Sequence, residues 1–241
     1  GEVQKNKEDV RVRVAFCFPD TYEIGMSNVG MRILYGVMNE MDGVWCERVF
    51  APWSDMEEAM RSNKLPLWAL ESQDPVRNFD MVAFTVGYEM SYSNILNMLD
   101  LAGIPLRSSE RHDLKNIVFA GGVCTFNPEP LADFVDFFSL GEGEDITVEI
   151  VSLYDRAKAE SWSKEKYLME VSKIPGVYVP SFYRHEYNDD GTLKAIVPLN
   201  GAPETITKRI VEDLDSAYYP TKMIIPSTEI VHDRANLEVF R

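Results

Sequence analysis

Short, mostly apolar runs alternate with amphipathic segments through the first 160 residues of the chain. The apolar runs are "VRVRVAFCF", "VWCERVFAP", "RNFDMVAFTVGYEM", "NIVFAGG" and "VDFFSL". Such runs are typical of strands buried on both faces, and apolar residues spaced three or four positions apart indicate helices between them. This alternation predicts an α/β fold in which helices doubly wind a parallel, five-stranded sheet in the flavodoxin-like manner.

Local signals place the ends of several elements. Ser27 or Asn28 can cap a helix that runs to about Met41, because their side chains accept hydrogen bonds from the first free amides. Ser54 or Asp55 can cap the helix "SDMEEAMRSN" in the same way. A short additional strand is expected near "LPLWALES".

The remaining residues follow a different pattern. A helix over "SKEKYLMEVSKIPG" precedes two alternating segments, "VYVPSFYRHEY" and "TLKAIVPL", which flank the turn signal Asn188–Gly191 and predict a β-hairpin. From Asn200 onward the chain is rich in proline, threonine and charge, which predicts an extended linker arm. We therefore expect a layered domain over residues 1–160, and a helix, hairpin and linker over residues 161–241.

Composition narrows the possible partners. The 241 residues are 45% hydrophobic, which suffices for one sizeable core and a smaller appended piece. The formal charge of -15 repels nucleic-acid phosphates and anionic membranes, so neither is expected as a direct partner. Three cysteines are too few for a disulfide framework, and no signal-peptide core or 18-residue apolar run occurs, so a cytoplasmic location is expected.

The unusual residues collect where the predicted strands end. In an open parallel sheet, ligands bind beyond the carboxyl ends of the strands, and here those ends carry "FPDTYEIGMSN", "GYEMSYSN", "GGVCTFNPEP" and "GEGED". Turn chemistry alone also favours glycine and asparagine at such positions. The candidate binding residues at this edge are Tyr22, Gly25, Met26, Ser27, Asn28, Gly87, Tyr88, Tyr92, Gly121, Gly122, Val123, Cys124, Gly141, Glu142 and Gly143.

A phosphate site is not expected at this edge. The chain has neither the G-x-x-x-x-G-K-[ST] loop nor the G-x-G-x-x-G dinucleotide fingerprint after its first strand. Glu142, Glu144 and Asp145 would repel a phosphate at the start of the last helix of the layer. These acids suit the positive end of the helix dipole, and a hydrogen bond to a ligand or a neighbouring domain is the alternative role.

A conventional catalytic site is not expected either. No G-x-S-x-G, H-E-x-x-H or C-x-x-C motif is present. His112, His185 and His232 lie away from the predicted strand ends, so solvated or structural roles are expected for them. Cys124 follows the Gly-Gly pair and could act as a nucleophile, but no histidine is near it in sequence. We predict no catalytic residue and no metal ligand in this chain.

The chain also resembles a known family. "GG" followed by "NPEPLADFVDFFSLGEGED" resembles the glycine pair, P-E dipeptide, aspartate and G-E-G-E run of cobalamin-binding-type domains that precede radical S-adenosylmethionine (SAM) enzymes. "FPDTYEIGMSNVGMRILYGVMNE" and "ERVFAPWSDMEEAM" resemble a subgroup of unknown substrate. The tail "VHDRANLEVFR" resembles the linker and first barrel strand of such enzymes, which precede a C-x-x-x-C-x-x-C motif that is missing here.

The resemblance implies a cobalamin-binding-like accessory domain of an iron-sulfur oxidoreductase, without catalysis of its own. Its partner would be a C-terminal radical SAM barrel, which would hold the 4Fe-4S cluster and S-adenosylmethionine outside this chain. Gly121 and Gly122 would admit the nucleotide tail of the cofactor, or a neighbouring domain, close to the fourth strand. The "GEGE" segment would turn into the last helix and face the barrel. An apolar pocket is expected to be bounded by Tyr22, Tyr88 and Tyr92.

One departure from the family changes the expected binding mode. Cobalamin domains that displace the lower base carry D-x-H-x-x-G after the first strand, and "PDTYEIGMSNVG" contains no histidine. Cobalamin with its cobalt uncoordinated by the protein is then one alternative, and a docking domain that binds no cofactor is another. A free-standing flavodoxin-like enzyme for flavin or a nucleotide is disfavoured by the acidic edge and by the C-terminal arm.

Overall fold

A computed structural model describes residues 1–232, so all but the first two residues of the predicted barrel linker lie outside the described part. Its main sheet has the order β2-β1-β3-β4-β5-β6. The first five strands are parallel, as predicted, and a sixth, antiparallel to β5, was not predicted. The strands are β1 Val12–Phe18, β2 Val44–Phe50, β3 Met81–Thr85, β4 Ile117–Gly121, β5 Phe137–Ser139 and β6 Val177–Tyr178. The α/β, doubly wound layer is confirmed.

Helices cover both faces of this sheet. Asn28 caps the second helix, since its side chain accepts a hydrogen bond of 2.9 Å from the Met31 amide. The third helix begins directly after Trp53, so neither Ser54 nor Asp55 is its cap. The helices are α1 Tyr22–Gly25, α2 Val29–Glu40, α3 Ser54–Asn63, α4 Tyr92–Ala102, α5 Gly143–Ala159 and α6 Lys164–Val171.

Two apolar clusters form the core, one on each face of the sheet. Because successive strand residues point to opposite faces, Val14 and Phe16 of β1 pack with α2 and α5. Ala15 and Cys17 of the same strand pack with α4 on the other face. This burial on both faces explains why the strands appear in the sequence as nearly continuous apolar runs.

Two expectations about strands are corrected. The "LPLWALES" segment forms no strand, and only an isolated bridge joins Trp68 to Pro75. The predicted first strand of the hairpin is divided, because the turn Pro180–Phe182 separates β6 from β7. Pro180 lacks the amide donor that a continuous ladder needs. The hairpin itself pairs β7, Tyr183–Tyr187, with β8, Leu193–Pro198.

The segment from residue 199 to residue 232, which we call the arm, lies against the layer. The Arg209 amide donates to the Leu140 carbonyl (2.8 Å), and the Glu142 amide donates to the Arg209 carbonyl (3.0 Å), so the arm crosses the end of β5. Farther along, Ile224 is buried in the core cluster beside α2. The Ser227 amide then donates to the Tyr22 hydroxyl (2.9 Å), which brings the arm to the loop after β1.

Within residues 1–232, none of the helices combines the length and the apolar character that a membrane crossing requires.

Candidate functional site

A cavity opens where the winding of the sheet changes direction. β2 and β3 flank β1 on opposite sides, and ligands of such sheets bind at this switch point, beyond the carboxyl ends of the strands. The cavity there has a volume of about 390 Å³, and we call it the rim cavity. Phe16, Phe84 and Phe119 line it from the strands, and Leu34 and Met38 line it from α2. The start of α5 forms the facing wall.

The rim cavity contains no charged side chain among its described lining residues. Its polar side chains are those of Asn28, Thr85, Ser139 and Thr147. The Asn28 side-chain oxygen is already engaged in capping α2. Such a lining can hold a flat, uncharged group with a few hydrogen bonds, but it offers no acid, base or anion partner.

Three glycines line the rim cavity beside β3 and β4, and they differ in the space next to them. A side chain at Gly87 would meet no heavy atom within 4 Å of its Cβ, so this position faces free space. At Gly121 a Cβ would lie 2.7 Å from the Ser139 hydroxyl, so β4 and β5 pack closely there. Gly122 has φ +110° and a Cβ there would lie 2.6 Å from the Val86 carbonyl, so the backbone just after β3 occupies the space of its missing side chain.

Seven of the fifteen candidate residues line the rim cavity, namely Asn28, Gly87, Gly121, Gly122, Val123, Gly141 and Gly143. The contribution of α2 to the cavity was not predicted from the sequence. Gly30, Leu34 and Met38 recur every four residues along that helix and all line the cavity. This spacing places them on one helix face, a signal that could have identified them before the structure.

The loop after β1 faces a different cavity. The Tyr22 ring packs edge-on against Phe50, with 5.1 Å between the ring centroids, and lines a second cavity of about 520 Å³ together with Trp53 and Trp68. Gly25 lies so close to the Phe50 ring that a Cβ would overlap it. This loop therefore leans towards β2, away from the rim cavity.

The two residues after Gly25 have structural contacts. Met26 is fully buried, and the Arg48 guanidinium donates to its sulfur at 3.4 Å. The Ser27 hydroxyl donates to the Glu23 carbonyl (2.7 Å) and accepts from the His232 amide (3.1 Å). The last described residue of the arm, His232, therefore lies beside Ser27, which directly precedes the α2 cap.

The three tyrosines that were expected to bound one pocket lie apart. Tyr22 belongs to the second cavity, and Tyr88 is 65% exposed on the loop after β3. The Tyr92 hydroxyl donates to the Cys124 carbonyl at 3.3 Å. Burial, and then the nearby charge of Glu89, raises the pKa of the Cys124 thiol, which disfavours the thiolate that a nucleophile needs.

The "GEGED" segment joins the layer to the arm. Gly141 has φ +104°, and a Cβ there would overlap the Arg209 carbonyl of the arm. The Glu142 carboxylate accepts a hydrogen bond from the Val211 amide, also in the arm. Glu144 is buried in the first turn of α5, where the helix dipole favours an acid. The protein's own arm thus occupies the space beside Gly141.

No metal site is present among residues 1–232, since no group of three or more histidine, cysteine, aspartate or glutamate side chains is placed to hold an ion. The first-strand loop places Asp20, Tyr22 and Gly25 at the spacing of the D-x-H-x-x-G motif, with tyrosine where that motif has histidine. The Tyr22 hydroxyl is engaged by both the amide and the hydroxyl of Ser227.

Comparisons with known proteins place the chain in a family. Residues 30–180, more than half of the chain, match the model of a family described as radical SAM proteins, N-terminal. An uncharacterized protein of Methanocaldococcus jannaschii is 23% identical over 142 residues, which are 58% of this chain and 26% of that relative. The chain therefore spans about a quarter of the length of this relative.

Proposed function

Because this chain belongs to the family of radical SAM protein N-terminal regions, we propose that it is an accessory domain that binds cobalamin at its rim cavity and performs no catalysis alone. The carboxyl edge of the sheet would present the cofactor to the catalytic barrel of the whole protein. The observation that carries this proposal is an uncharged, glycine-walled cavity at the switch point of a doubly wound sheet.

The lining of the rim cavity suits one part of cobalamin. Its volume of about 390 Å³ lies within the range of small-molecule pockets, about 300–1,000 Å³, but it is too small for the whole cofactor. A flat, uncharged ring such as the benzimidazole base matches the apolar floor. Gly87 would let this ring approach the backbone, and Ser139 and Thr147 would supply hydroxyl partners.

When bound, cobalamin supplies a cobalt centre for alkyl-group or radical chemistry, and this chain would contribute binding and orientation. Asp20, Tyr22 and Gly25 have the spacing of the D-x-H-x-x-G motif, with Tyr22 in place of the histidine that binds cobalt. The proposed binding mode is therefore one in which no side chain of the loop after β1 coordinates cobalt. Tyr22 is already hydrogen-bonded to Ser227 and leans towards β2.

The test is a titration of the purified domain with hydroxocobalamin, followed by desalting, visible absorbance and thermal melting. We expect about one equivalent to be retained and the melting temperature to rise with ligand concentration, because a ligand that binds only the folded state stabilises it. Loss of all colour on desalting together with an unchanged melting temperature would contradict cobalamin binding.

Substitutions at Gly87 locate the bound cofactor. Since a Cβ there meets no heavy atom within 4 Å and Gly87 lines the rim cavity, Gly87→Leu places a large side chain at this wall, and Gly87→Ala is the matched small control. We expect Gly87→Leu to weaken cobalamin binding at least about tenfold, or 1.4 kcal/mol, with an unchanged melting temperature of the free domain. Full retention of cobalamin by Gly87→Leu would place the cofactor elsewhere.

A docking domain without a cofactor is the second candidate, and the surface around the cavity favours it. Large apolar side chains are exposed on the loops after β3 and β4, with Met90 73%, Val123 69% and Phe126 58% exposed. Monomeric proteins rarely leave such side chains grouped in water, so these loops suit a protein interface. The cobalamin titration separates the two candidates, because a docking domain retains no cofactor.

A further inference from the structure

The arm covers a buried arginine, Arg32, two of whose nitrogens have no hydrogen-bond partner within residues 1–232. Arg32 lies on α2 and is 8% exposed. Its Nε and Nη2 atoms are both buried, and neither has a hydrogen-bond partner among the described residues. A guanidinium stays charged at any pH that a protein tolerates, so it cannot avoid the cost of burial by losing its proton.

The two free nitrogens form one edge of the guanidinium. Nε–H and one N–H of Nη2 point the same way, which is the geometry that binds two oxygens of a carboxylate or phosphate at once. The same type of edge is satisfied in the buried Arg48, whose Nε donates to Glu71 at 2.6 Å and whose Nη2 donates to Glu2 at 3.2 Å. Arg32 presents an equivalent donor set with no acceptor in residues 1–232.

A cavity of about 580 Å³ borders Arg32, and we call it the arm cavity. The arm is fixed on both sides of it. On one side the Tyr218 hydroxyl, packed over Gly36, donates to Glu40 at 3.0 Å. On the other side Ile224 is buried in the core cluster. The residues between these anchors, including Lys222, span the cavity above α2.

The carboxylates in the wall of the arm cavity are engaged elsewhere. Glu40 accepts the Tyr218 hydrogen bond, and Glu2 pairs with Arg48 at 3.2 Å. Lys222 is exposed and forms no ion pair with any described residue, so it adds a second cation without its own counter-ion. The described residues therefore supply no acceptor for the free edge of Arg32.

We propose that Arg32 anchors an anion-binding site in the arm cavity, which takes a small oxyanion, a phosphate or a carboxylate, on the Nε–Nη2 edge. Because both nitrogens are closed from solvent, the guanidinium swings into the cavity that it borders when the anion binds. Lys222, on the spanning part of the arm, supplies the second positive charge. This site lies on the outer side of α2 and is independent of the rim cavity and of cobalamin.

The test compares thermal melting of the purified domain in sodium phosphate, sodium acetate and sodium chloride at matched pH and ionic strength. We expect a saturable rise in melting temperature with phosphate or acetate, beyond that in chloride, because the anion binds the folded state only. The anion that acts identifies the preferred oxyanion. Equal melting curves in all three salts would overturn the proposal.

Substitutions separate a specific site from a general salt effect. Arg32→Met should abolish the oxyanion response and, without oxyanion, should melt above the unmodified chain, because it removes an unpaired buried charge. Arg32→Lys keeps the charge but not the two-donor edge. It should raise the oxyanion concentration that gives half of the melting-temperature rise by at least about tenfold. Arg77→Met, at an exposed arginine, is the matched control and should respond fully. An undiminished response of Arg32→Met would overturn the proposal.

Discussion

At the residue scale, burial and neighbouring charge set the reactivity of the three cysteines. Cys17 and Cys46 are buried in the sheet, and desolvation raises the pKa of both thiols. Cys124, beside the rim cavity, is half-buried, and its thiol pKa is raised by burial and by Glu89. The Cys124 thiol is therefore accessible to solvent, but its raised pKa disfavours the thiolate form.

Alkylation with iodoacetamide, followed by mass spectrometry across pH, checks this arrangement. We expect only Cys124 to react in the folded protein, more slowly at pH 7 than a free cysteine, and faster as rising pH produces thiolate. Glu89→Gln removes the nearby negative charge and should accelerate the reaction at pH 7 by up to about tenfold. Glu23→Gln, on the loop after β1, is the control and should leave the rate unchanged.

At the scale of elements, the turn between β5 and α5 is built to receive the arm. Gly141 has a positive φ and forms a backbone bridge to Arg209. A side chain at this position would strain the turn and would also collide with the arm. Gly191, in the hairpin turn, also has a positive φ, +83°, but a Cβ there would meet no atom within 4 Å. Of these two glycines, Gly141 contacts the arm and Gly191 does not.

Alanine substitution at these two glycines measures what the arm contributes. Both Gly141→Ala and Gly191→Ala strain the backbone, at a cost of about 1–3 kcal/mol each. Gly141→Ala also displaces the arm, so we expect a larger loss of unfolding free energy in urea and faster proteolysis within residues 199–232. Equal losses and equal proteolysis rates would mean that the Gly141 contact does not hold the arm.

At the scale of the whole molecule, a buried aspartate joins the sheet to the segment that follows it. Asp136 is 1% exposed and lies at the start of β5. The Val118 amide of β4 donates to it at 2.7 Å, and Arg111 and Lys164 pair with it at 3.1 and 2.7 Å. Because Lys164 belongs to α6, this carboxylate connects the parallel strands of the sheet to the helix before β6.

Asp136→Asn should therefore be strongly destabilising. The substitution leaves two buried cations without their counter-ion, which costs about 3–5 kcal/mol of unfolding free energy. Asp133→Asn breaks the nearby exposed pair with Arg107 and should cost less than about 1 kcal/mol. Urea denaturation of both variants gives the comparison. A loss at Asp136 no greater than that at Asp133 would show that the buried network does not stabilise the fold.

Local periodicity was enough to predict much of this protein. Five parallel strands buried on both faces, a helix cap at Ser27 or Asn28 and the hairpin turn at Asn188–Gly191 each follow from residues close together in the sequence, and the structure places the cap at Asn28. The glycine-rich strand ends were also predictable, because parallel strands bring their carboxyl ends to one edge. These features depend on the periodicity of apolar residues and on the residue types in turns, and both are set by residues that are neighbours in the sequence.

Contacts between distant segments were decided only by the tertiary structure. The two residues of β6 were predicted as part of the hairpin, and pairing with Phe138 and Ser139 made them the sixth strand. Tyr22 faces β2 because Phe50 packs against it. Arg32 has the appearance of a polar helix residue in sequence, and an arm almost two hundred residues later buries it. No local pattern encodes such contacts, since each depends on what the completed fold brings alongside.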